Sequence, residues 1–332
     1  MKFIRIILFP IVPIYYLMTW LRNYLYDLGL KPSISFNIPT ICVGNLSTGG
    51  TGKTPMIEYL ICLLKDKKNV ATLSRGYKRI TEGFVLADTE ATADTIGDEP
   101  YQFYSKFKGV KVAVDGHRQN GIKKLLSLED SPDIILLDDA YQHRKVKAGL
   151  NILLTTYHNL YSRDIVLPTG NLREPRSGAK RAHIIVVTKC PVTLTEIKKT
   201  KIAEELKVRN NQKLFFSHIN YSEKVLSKTK EMALEALTKF TLVTGIANAK
   251  PLVDFLTERG LRFDHLEYPD HYSFKPNDIE LLSQKGIILT TEKDYVRLSD
   301  NENLLPFLYY LPITLVIDNK PAFDEAIERY IA

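Results

Sequence analysis

A glycine-rich segment near the N-terminus carries the residues most typical of phosphate chemistry. It reads VGNLSTGGTGKTP over residues 43–55, after an apolar run and before a helix-like stretch. That order is the context of a P-loop, in which backbone N–H groups and the helix dipole hold phosphate oxygens. Lys53 is expected to reach the β- and γ-phosphates of a bound nucleotide, and the Thr54 hydroxyl is expected to hold Mg²⁺. The predicted nucleotide-binding residues are Ser47, Thr48, Gly49, Gly50, Thr51, Gly52, Lys53 and Thr54.

The segment departs from the usual pattern at one position. The pattern G-x-x-x-x-G-K-[ST] has a glycine where this chain has Ser47. Gly44, Gly49 and Gly50 are expected to supply the missing flexibility. The alternative is a glycine-rich turn with an incidental lysine, but the coincidence of strand, Gly-Lys-Thr and helix favours the phosphate loop.

Two adjacent aspartates, Asp138 and Asp139, follow the apolar residues 134–137. A parallel strand that runs into carboxylates places them at the carboxyl edge of its sheet, where ligands bind. In P-loop proteins such an aspartate helps to hold Mg²⁺, so Asp138 or Asp139 is expected to be a metal ligand. The alternative is a strand that simply ends in a polar loop.

Short apolar segments alternate with helix-like segments after Pro39. Helices are expected at residues 55–67 and 118–128, among others. Such βα alternation predicts an α/β fold with a doubly wound, mostly parallel sheet. The predicted strands are residues 40–44, 70–74, 110–114, 134–138, 151–155 and 183–188.

A second set of elements predicts a smaller α/β domain. Its strands are expected at residues 240–244, 262–266 and 286–291, with a helix at 251–259. Strand-like runs at 213–220 and 308–317 are expected to pair as a two-stranded linker, and a last helix near 322–331 to return to the first domain. The predicted division is an N-terminal helix at 1–30, a P-loop domain at 31–212 with the helix at 319–332, linker strands at 213–221 and 308–318, and a second domain at 222–307.

Residues 1–30 are predicted to form a helix at a membrane interface. The uncharged run from Ile6 to Leu21 is shorter than the roughly 20 residues that a spanning helix needs, and Pro10 and Pro13 interrupt it. No small-residue cleavage site follows it, as it would in a signal peptide. Its aromatic rings and flanking cations suit the headgroup region of a bilayer. The alternative is an N-terminal helix buried against the body of the protein.

The composition excludes several classes of protein. With 332 residues, 45% hydrophobic and 25% charged, the chain is not disordered, collagen-like or a polytopic membrane protein. Its net charge of +7 suits an anionic partner such as nucleotide, nucleic acid or acidic lipid, and is equally compatible with an ordinary enzyme. The three cysteines lack metal-ligand spacing, and Cys42 and Cys62 are expected to fill the core of a reduced protein.

Five further motifs occur in order after the phosphate loop. They are Ser-Arg-Gly-Tyr at 74–77, Gly-Asp-Glu-Pro at 97–100, Asp-Asp-Ala-Tyr-Gln-His-Arg at 138–144, Leu-Pro-Thr-Gly-Asn-Leu-Arg-Glu-Pro at 167–175 and Thr-Thr-Glu-Lys-Asp at 290–294. With them the sequence closely resembles the tetraacyldisaccharide 4'-kinase family, the lipid A 4'-kinases of Gram-negative bacteria, from the N-terminus to about Leu298. Small departures at Ala140, Tyr141, Thr169 and Asn171 neighbour the key polar residues without replacing them.

The resemblance implies an activity and an architecture. The activity is ATP- and Mg²⁺-dependent phosphorylation of a lipid-linked disaccharide 1-phosphate at its 4'-hydroxyl. The architecture is two α/β domains joined by a two-stranded linker, with the active site in the cleft. The implied partners are the lipid A precursor and the surface of the inner membrane, with no nucleic acid. The implied location is the cytoplasmic face of that membrane, where the protein would be peripheral or anchored by its N-terminal helix.

The resemblance also implies site residues. Asp98 and His271 match the family's catalytic pair, in which a carboxylate oriented by a histidine accepts the proton of a secondary alcohol when the cleft closes. Without the resemblance, His271 would be interpreted as a surface-loop histidine. Glu174 is implied as a further metal ligand, with a salt bridge to Arg173 or Arg176 as the alternative. Candidate contacts to the phosphate or sugar of the substrate, each alternatively a solvated surface group, are Arg75, Tyr77, Arg118, Arg173 and Arg176.

Two other classes of protein remain as alternatives. A membrane-surface ATPase switch would also combine a P-loop with an amphipathic helix, but such switches carry a second lysine early in the loop, and residues 47–51 contain none. A catalytically inactive lipid-binding scaffold would require the loss of Lys53, Asp98 or Asp138, and all three are present.

Overall fold

Strands and helices alternate through most of the chain in the computed structural model, which describes residues 5, 7–270 and 272–332. The strands are β1 Thr40–Asn45, β2 Val70–Ser74, β3 Val85–Leu86, β4 Lys111–Val114, β5 Ile134–Asp138, β6 Leu150–Thr156, β7 Ile184–Thr188, β8 Lys213–Tyr221, β9 Lys224–Leu226, β10 Glu231–Ala233, β11 Phe240–Thr244, β12 Phe263–Glu267, β13 Ile288–Thr291, β14 Leu308–Leu311 and β15 Ile313–Ile317. The α-helices are α1 Val12–Asp27, α2 Lys53–Leu64, α3 Ala93–Ile96, α4 Asp98–Lys106, α5 Arg118–Leu126, α6 Glu196–Leu206, α7 Lys250–Glu258, α8 Pro276–Ser283, α9 Glu292–Leu298 and α10 Lys320–Ile331.

The larger sheet positions the phosphate loop. Its strand order is β15-β8-β7-β6-β1-β5-β2-β4-β3, and it is parallel except that β15 and β3 run antiparallel to their neighbours. Every residue of β1, β2, β5 and β7 is buried, as expected of parallel strands covered on both faces. In the register of β1 and β5, Val43 lies opposite Asp138, so the phosphate loop and the two aspartates leave the same edge of the sheet. The predicted doubly wound, mostly parallel sheet is confirmed.

The smaller sheet has the strand order β10-β9-β14-β13-β11-β12, and β14, β13, β11 and β12 are parallel. The run at 308–317, expected as one linker strand, is two strands instead. β14 pairs with β13 in the smaller sheet, whereas β15 pairs antiparallel with β8 at the edge of the larger one. Pro312 separates them, because proline has no N–H to donate to a strand ladder. After β15, α10 places Phe323 and Ile327 in the core of the larger sheet.

Helix α1 has an inner face of mixed polarity, from which Val12 and Tyr15 pack against the core, and an apolar outer face. Asn23 is its one buried residue, and the N-terminal helix is therefore not wholly buried against the body. Pro10 and Pro13 lie in first turns, where a missing N–H costs no intrahelical bond. Among the described residues no helix is both long and apolar enough to cross a membrane. The exposed apolar side chains of α1 include Ile14, Tyr16, Leu17, Met18, Trp20, Leu21 and Tyr24.

The cysteines separate into two environments. Cys42 is buried in β1, as expected, but Cys62 is exposed, so its assignment to the core was wrong. The buried stripe of α2 runs through Met56, Leu60 and Leu64, and Cys62 lies off that stripe.

Candidate active site at the carboxyl edge of the larger sheet

Three hydrogen bonds hold the phosphate loop in place. The Asn45 amide donates to the Thr51 hydroxyl at 2.7 Å, and the Thr188 hydroxyl donates to the Thr51 carbonyl at 2.8 Å. The backbone N–H of Thr48 donates to the Asn171 carbonyl at 2.8 Å. Gly52 precedes α2 with φ +87°, a conformation that glycine adopts without strain. The loop is thus held by side chains and backbone from neighbouring strands and loops.

Asp138 and Asp139 lie next to this loop in contrasting surroundings. Asp138 is 3% exposed, and its Oδ1 has no hydrogen-bond partner among the described residues. Burial, together with the nearby carboxylate of Glu99, raises the pKa of Asp138 to about 7. Burial would also raise the pKa of Asp139, but Lys53 and Arg173 outweigh it and hold that pKa below its ordinary value. Lys53 Nζ lies 3.7 Å from Asp139 Oδ1, and Arg173 Nη1 lies 3.0 Å from both carboxylate oxygens of Asp139.

These residues fit a magnesium ion. A buried carboxylate oxygen without a hydrogen-bond partner is costly unless a cation meets it, and Mg²⁺ prefers carboxylate and hydroxyl oxygen ligands. Asp138 therefore fits the metal better than Asp139, which already faces two protein cations. Glu99 was not singled out from the sequence, although it lies in the Gly-Asp-Glu-Pro motif, and its effect on Asp138 adds it to the acidic groups of this site.

Glu174, expected as a metal ligand, is occupied by protein donors. Its side chain is 2% exposed and accepts hydrogen bonds from the Asn23 amide at 2.5 Å, the Gln142 amide at 3.1 Å and the Arg181 guanidinium at 2.7 Å. The salt-bridge alternative fits this geometry, although the arginine is Arg181 and not Arg173 or Arg176. A carboxylate with three such donors is poorly placed to hold a metal, and we leave Glu174 out of the metal ligands proposed below.

Asp98 lies at the start of α4, where the two α/β domains meet. Arg297, from α9 of the second domain, binds both of its carboxylate oxygens, with Nε at 2.9 Å from Oδ1. Arg297 also donates to the carbonyl of Tyr272 at 3.3 Å, and Lys293 lies 3.2 Å from Asp270. Asp270 and Tyr272 are thereby held to α9, the helix whose Arg297 binds Asp98. His271 lies outside the described residues, so the Asp98–His271 pair stays a prediction.

The arginine and tyrosine candidates fall into different settings. Arg75 and Tyr77 are exposed after β2. Arg118, by contrast, is 3% exposed and donates to the backbone carbonyls of Asp115 and Asp138, which suits support of the strand end. Arg173 grips Asp139, and Arg176 donates to the Asp164 carbonyl at 2.8 Å.

One histidine that the sequence reasoning did not assign also lies at this site. Burial, together with Arg118 and Arg75, lowers the pKa of His143 to about 4. Its imidazole is therefore neutral at physiological pH and can accept or donate a hydrogen bond beside Arg75. The motif at 138–144 contains His143, but nothing in its spacing distinguishes a site histidine from a loop histidine.

Comparisons with known proteins agree with this geometry. A family model described as tetraacyldisaccharide-1-P 4'-kinase (LpxK) matches residues 4–332. The tetraacyldisaccharide 4'-kinase of Flavobacterium johnsoniae is 51% identical, over 100% of this chain and 98% of its own length. The enzyme of that name from Bacteroides thetaiotaomicron is 44% identical, over 98% of this chain and 92% of its own length.

A solved structure extends the likeness to the fold. The crystal structure of LpxK from Aquifex aeolicus in complex with ATP is 30% identical with a TM-score of 0.80, and the match covers 99% of this chain and 100% of that one. The matches do not favour a membrane-surface ATPase switch. By sequence over nearly all of its length and by fold, the chain belongs to the tetraacyldisaccharide-1-P 4'-kinase family.

Proposed function

We propose that this protein transfers the γ-phosphate of ATP to the 4'-hydroxyl of a tetraacyldisaccharide 1-phosphate, a lipid A precursor. The observation that carries the proposal is the contact between α1 and the nucleotide-site edge. The Tyr15 hydroxyl donates to the Arg173 carbonyl at 2.9 Å, and the Arg22 guanidinium donates to the Gln142 carbonyl at 2.8 Å. An outward-facing apolar helix thus borders a phosphate loop, an arrangement that suits an acceptor held in lipid.

The phosphate loop would bind the nucleotide. Backbone N–H groups of residues 49–52 would hold the phosphate oxygens, and Lys53, whose side chain is 13% exposed, would face the β- and γ-phosphates. Thr54 and Asp138 would hold Mg²⁺, which neutralises charge on the phosphates when it is bound. Asp139 would keep Lys53 and Arg173 in place beside them.

Asp98 is the proposed base, with His271 as its partner. As the 4'-oxygen forms its bond to the γ-phosphorus, the bond from that phosphorus to the β–γ bridging oxygen breaks and ADP leaves. The hydroxyl proton passes to the Asp98 carboxylate, whose orientation Arg297 fixes. Because Arg297 belongs to the second domain, the base is in place only when the two domains are in contact.

The acceptor would be gripped by exposed groups at the same edge. Arg75 can hold a phosphate oxygen through two parallel hydrogen bonds, and Tyr77, with 61% of its surface exposed, presents a hydroxyl and a ring to the sugar. Arg118 would act through the backbone of Asp138 and not on the substrate.

We also propose that the protein works on the inner-membrane surface. The outer face of α1 presents apolar and aromatic side chains, and Arg5 and Lys31 flank it as cations for anionic headgroups. A helix of this kind lies in the interface with its apolar face in the acyl boundary. The proposed location is the cytoplasmic face, where ATP is available.

Transfer of labelled phosphate into lipid tests the function. We expect Lys53→Ala to lower lipid phosphorylation by roughly 10³-fold or more, because it removes the cation that faces the transferring phosphate. Lys65→Ala, at the other end of the same helix, is the matched control and should keep wild-type activity. A Lys53→Ala enzyme that phosphorylates lipid at the wild-type rate would rule out the phosphate-loop assignment.

A further inference from the structure

The one buried residue of α1 is polar. Asn23 is 8% exposed, and its amide donates to the buried carboxylate of Glu174 at 2.5 Å. Most helices pack against a protein body through apolar side chains, because a buried amide gains little unless it is hydrogen-bonded. Val12 and Tyr15 pack against the core, and the hydrogen bond of Asn23 adds an oriented contact that specifies one position of α1 relative to Glu174.

Glu174 lies in the middle of a network that reaches the phosphate loop. Gln142 donates to Glu174 at 3.1 Å and also to the carbonyl of Asn45, the last residue of β1, at 2.7 Å. Arg181 donates to the same Glu174 oxygen at 2.7 Å. The carboxylate thus joins α1 to the strand from which the phosphate loop begins.

The neighbouring residue, Arg173, is clamped between the same two parts of the molecule. Its carbonyl accepts the hydrogen bond of the Tyr15 hydroxyl at 2.9 Å, and its N–H donates to the carbonyl of Leu46 at 2.7 Å. Its guanidinium holds both oxygens of Asp139, which in turn faces Lys53. A shift of α1 would therefore move the backbone that aims the Arg173 guanidinium at the site.

We propose that Asn23 is a positioning residue for the phosphoryl-transfer site, through which α1 sets the place of Arg173, Asp139 and Lys53. In this account α1 has two separable tasks. Its outer face meets lipid, and Asn23 and Tyr15 on its inner face hold the segment at 173–174. The inference rests on the proposed function for its kinetic assay, but the network itself can be tested without that assay.

The contact between Asn23 and Glu174 can be tested by exchanging the amide and the carboxylate between the two positions. Asn23→Asp places a second carboxylate against Glu174 and removes the donor, and we expect kcat at saturating ATP and detergent-dispersed lipid to fall roughly 10- to 100-fold. The KM for ATP should change little. Asn23→Asp combined with Glu174→Gln restores one donor and one acceptor in reversed order and should recover most of the lost kcat. Asn303→Asp, an exposed position in the second domain, is the matched control and should leave kcat unchanged.

Trp20, the single tryptophan of the chain, separates positioning from membrane binding. Its fluorescence should respond to vesicles of phosphatidylglycerol and phosphatidylcholine in the wild type and in Asn23→Asp alike. Met18→Asp, which puts the same carboxylate on the outer face, should weaken that response. If Asn23→Asp loses the response as Met18→Asp does, Asn23 acts through membrane binding and the inference is wrong.

Hydrogen exchange gives a readout that needs no lipid phosphorylation. The Arg173 amide should exchange faster in Asn23→Asp and return toward the wild-type rate in the double variant. If the wild type phosphorylated no lipid, the proposed function would fail, while this exchange pattern would still support or overturn the network.

Asn23→Ser removes the amide without adding charge, and it replaces Asn23→Asp in these experiments if Asn23→Asp does not fold. Wild-type kcat in the single variants, or a double variant no better than Asn23→Asp, would overturn the inference.

Discussion

Two carboxylates of the site, Asp138 and Asp98, come from different regions and have contrasting partners. At the end of β5, Asp138 is buried with one oxygen lacking a hydrogen-bond partner among the described residues, and its pKa is raised to about 7 by burial and then by Glu99. At the start of α4, both oxygens of Asp98 are bound by Arg297 from the second domain. Among the described residues Asp138 has no ion pair with a protein cation, whereas Asp98 has one with Arg297 from the second domain.

This difference assigns the two regions different tasks. A buried carboxylate without its own cation is stabilised by a metal ion, and Asp138 lies within the domain that holds the phosphate loop. A carboxylate oriented by an arginine keeps a fixed direction for a proton from the acceptor. In the proposed function the first domain would hold nucleotide and metal by itself, whereas the position of the proposed base would depend on the second domain.

The largest expected loss of kcat comes from substitutions of the proposed base at the start of α4 and of its partner. Asp98→Ala and His271→Ala should each lower kcat by roughly 10²- to 10⁴-fold, since general-base catalysis contributes about that much. If the two residues act as one unit, the double variant should be little worse than the poorer single variant. The measurement is a double-mutant cycle on kcat at saturating ATP and lipid.

ATP affinity is the internal control of that cycle. Neither residue lies in the phosphate loop or at Asp138, so nucleotide binding should persist in all three variants. Losses that add in free energy would mean that the two residues act independently, and the proposed pair would then be abandoned.

A smaller effect, on Mg²⁺ affinity, is expected from the protonation of Asp138 at the end of β5. Because burial raises the pKa of Asp138 to about 7, we expect its carboxyl to take up a proton in the metal-free protein as the pH falls below that value. Magnesium must displace that proton, so the apparent Mg²⁺ affinity should fall as the pH drops below 7, by up to about tenfold for each pH unit. The measurement is a Mg²⁺ titration of activity at several pH values on each side of 7.

Asp138→Asn is the control for that titration. It should weaken Mg²⁺ binding at every pH and remove most of the pH dependence, because an amide has no proton to lose in this range. An unchanged pH dependence in Asp138→Asn would assign the titrating group elsewhere in the site.

Local patterns in the sequence were sufficient to predict which strands place the phosphate loop and the two aspartates at one edge of the larger sheet. Apolar runs that end in Gly-Lys-Thr or in Asp-Asp predicted both the strands and their common edge, since parallel strands in a doubly wound sheet place their carboxyl ends together. The limit appeared at 308–317, where one apolar run serves two sheets and only the tertiary pairing shows the division at Pro312.

Contacts between distant residues could not be predicted in the same way. Arg297 lies 199 residues from Asp98, and Asn23 lies 151 residues from Glu174. Neither has a local signature, because an arginine on an exposed-looking helix and an asparagine in an aromatic helix are both ordinary. Glu174 was expected to hold metal because of its motif, and only the three donors around it indicate the supporting role.

Analysis of the lipid product tests the central claim most directly. The purified protein would be incubated with ATP labelled at the γ-phosphate, Mg²⁺ and tetraacyldisaccharide 1-phosphate, and released inorganic phosphate would be measured in parallel with the product. We expect one labelled phosphate per lipid, at the 4'-position, with little free phosphate. Label that appears only as inorganic phosphate, or in lipid at another position, would contradict the account.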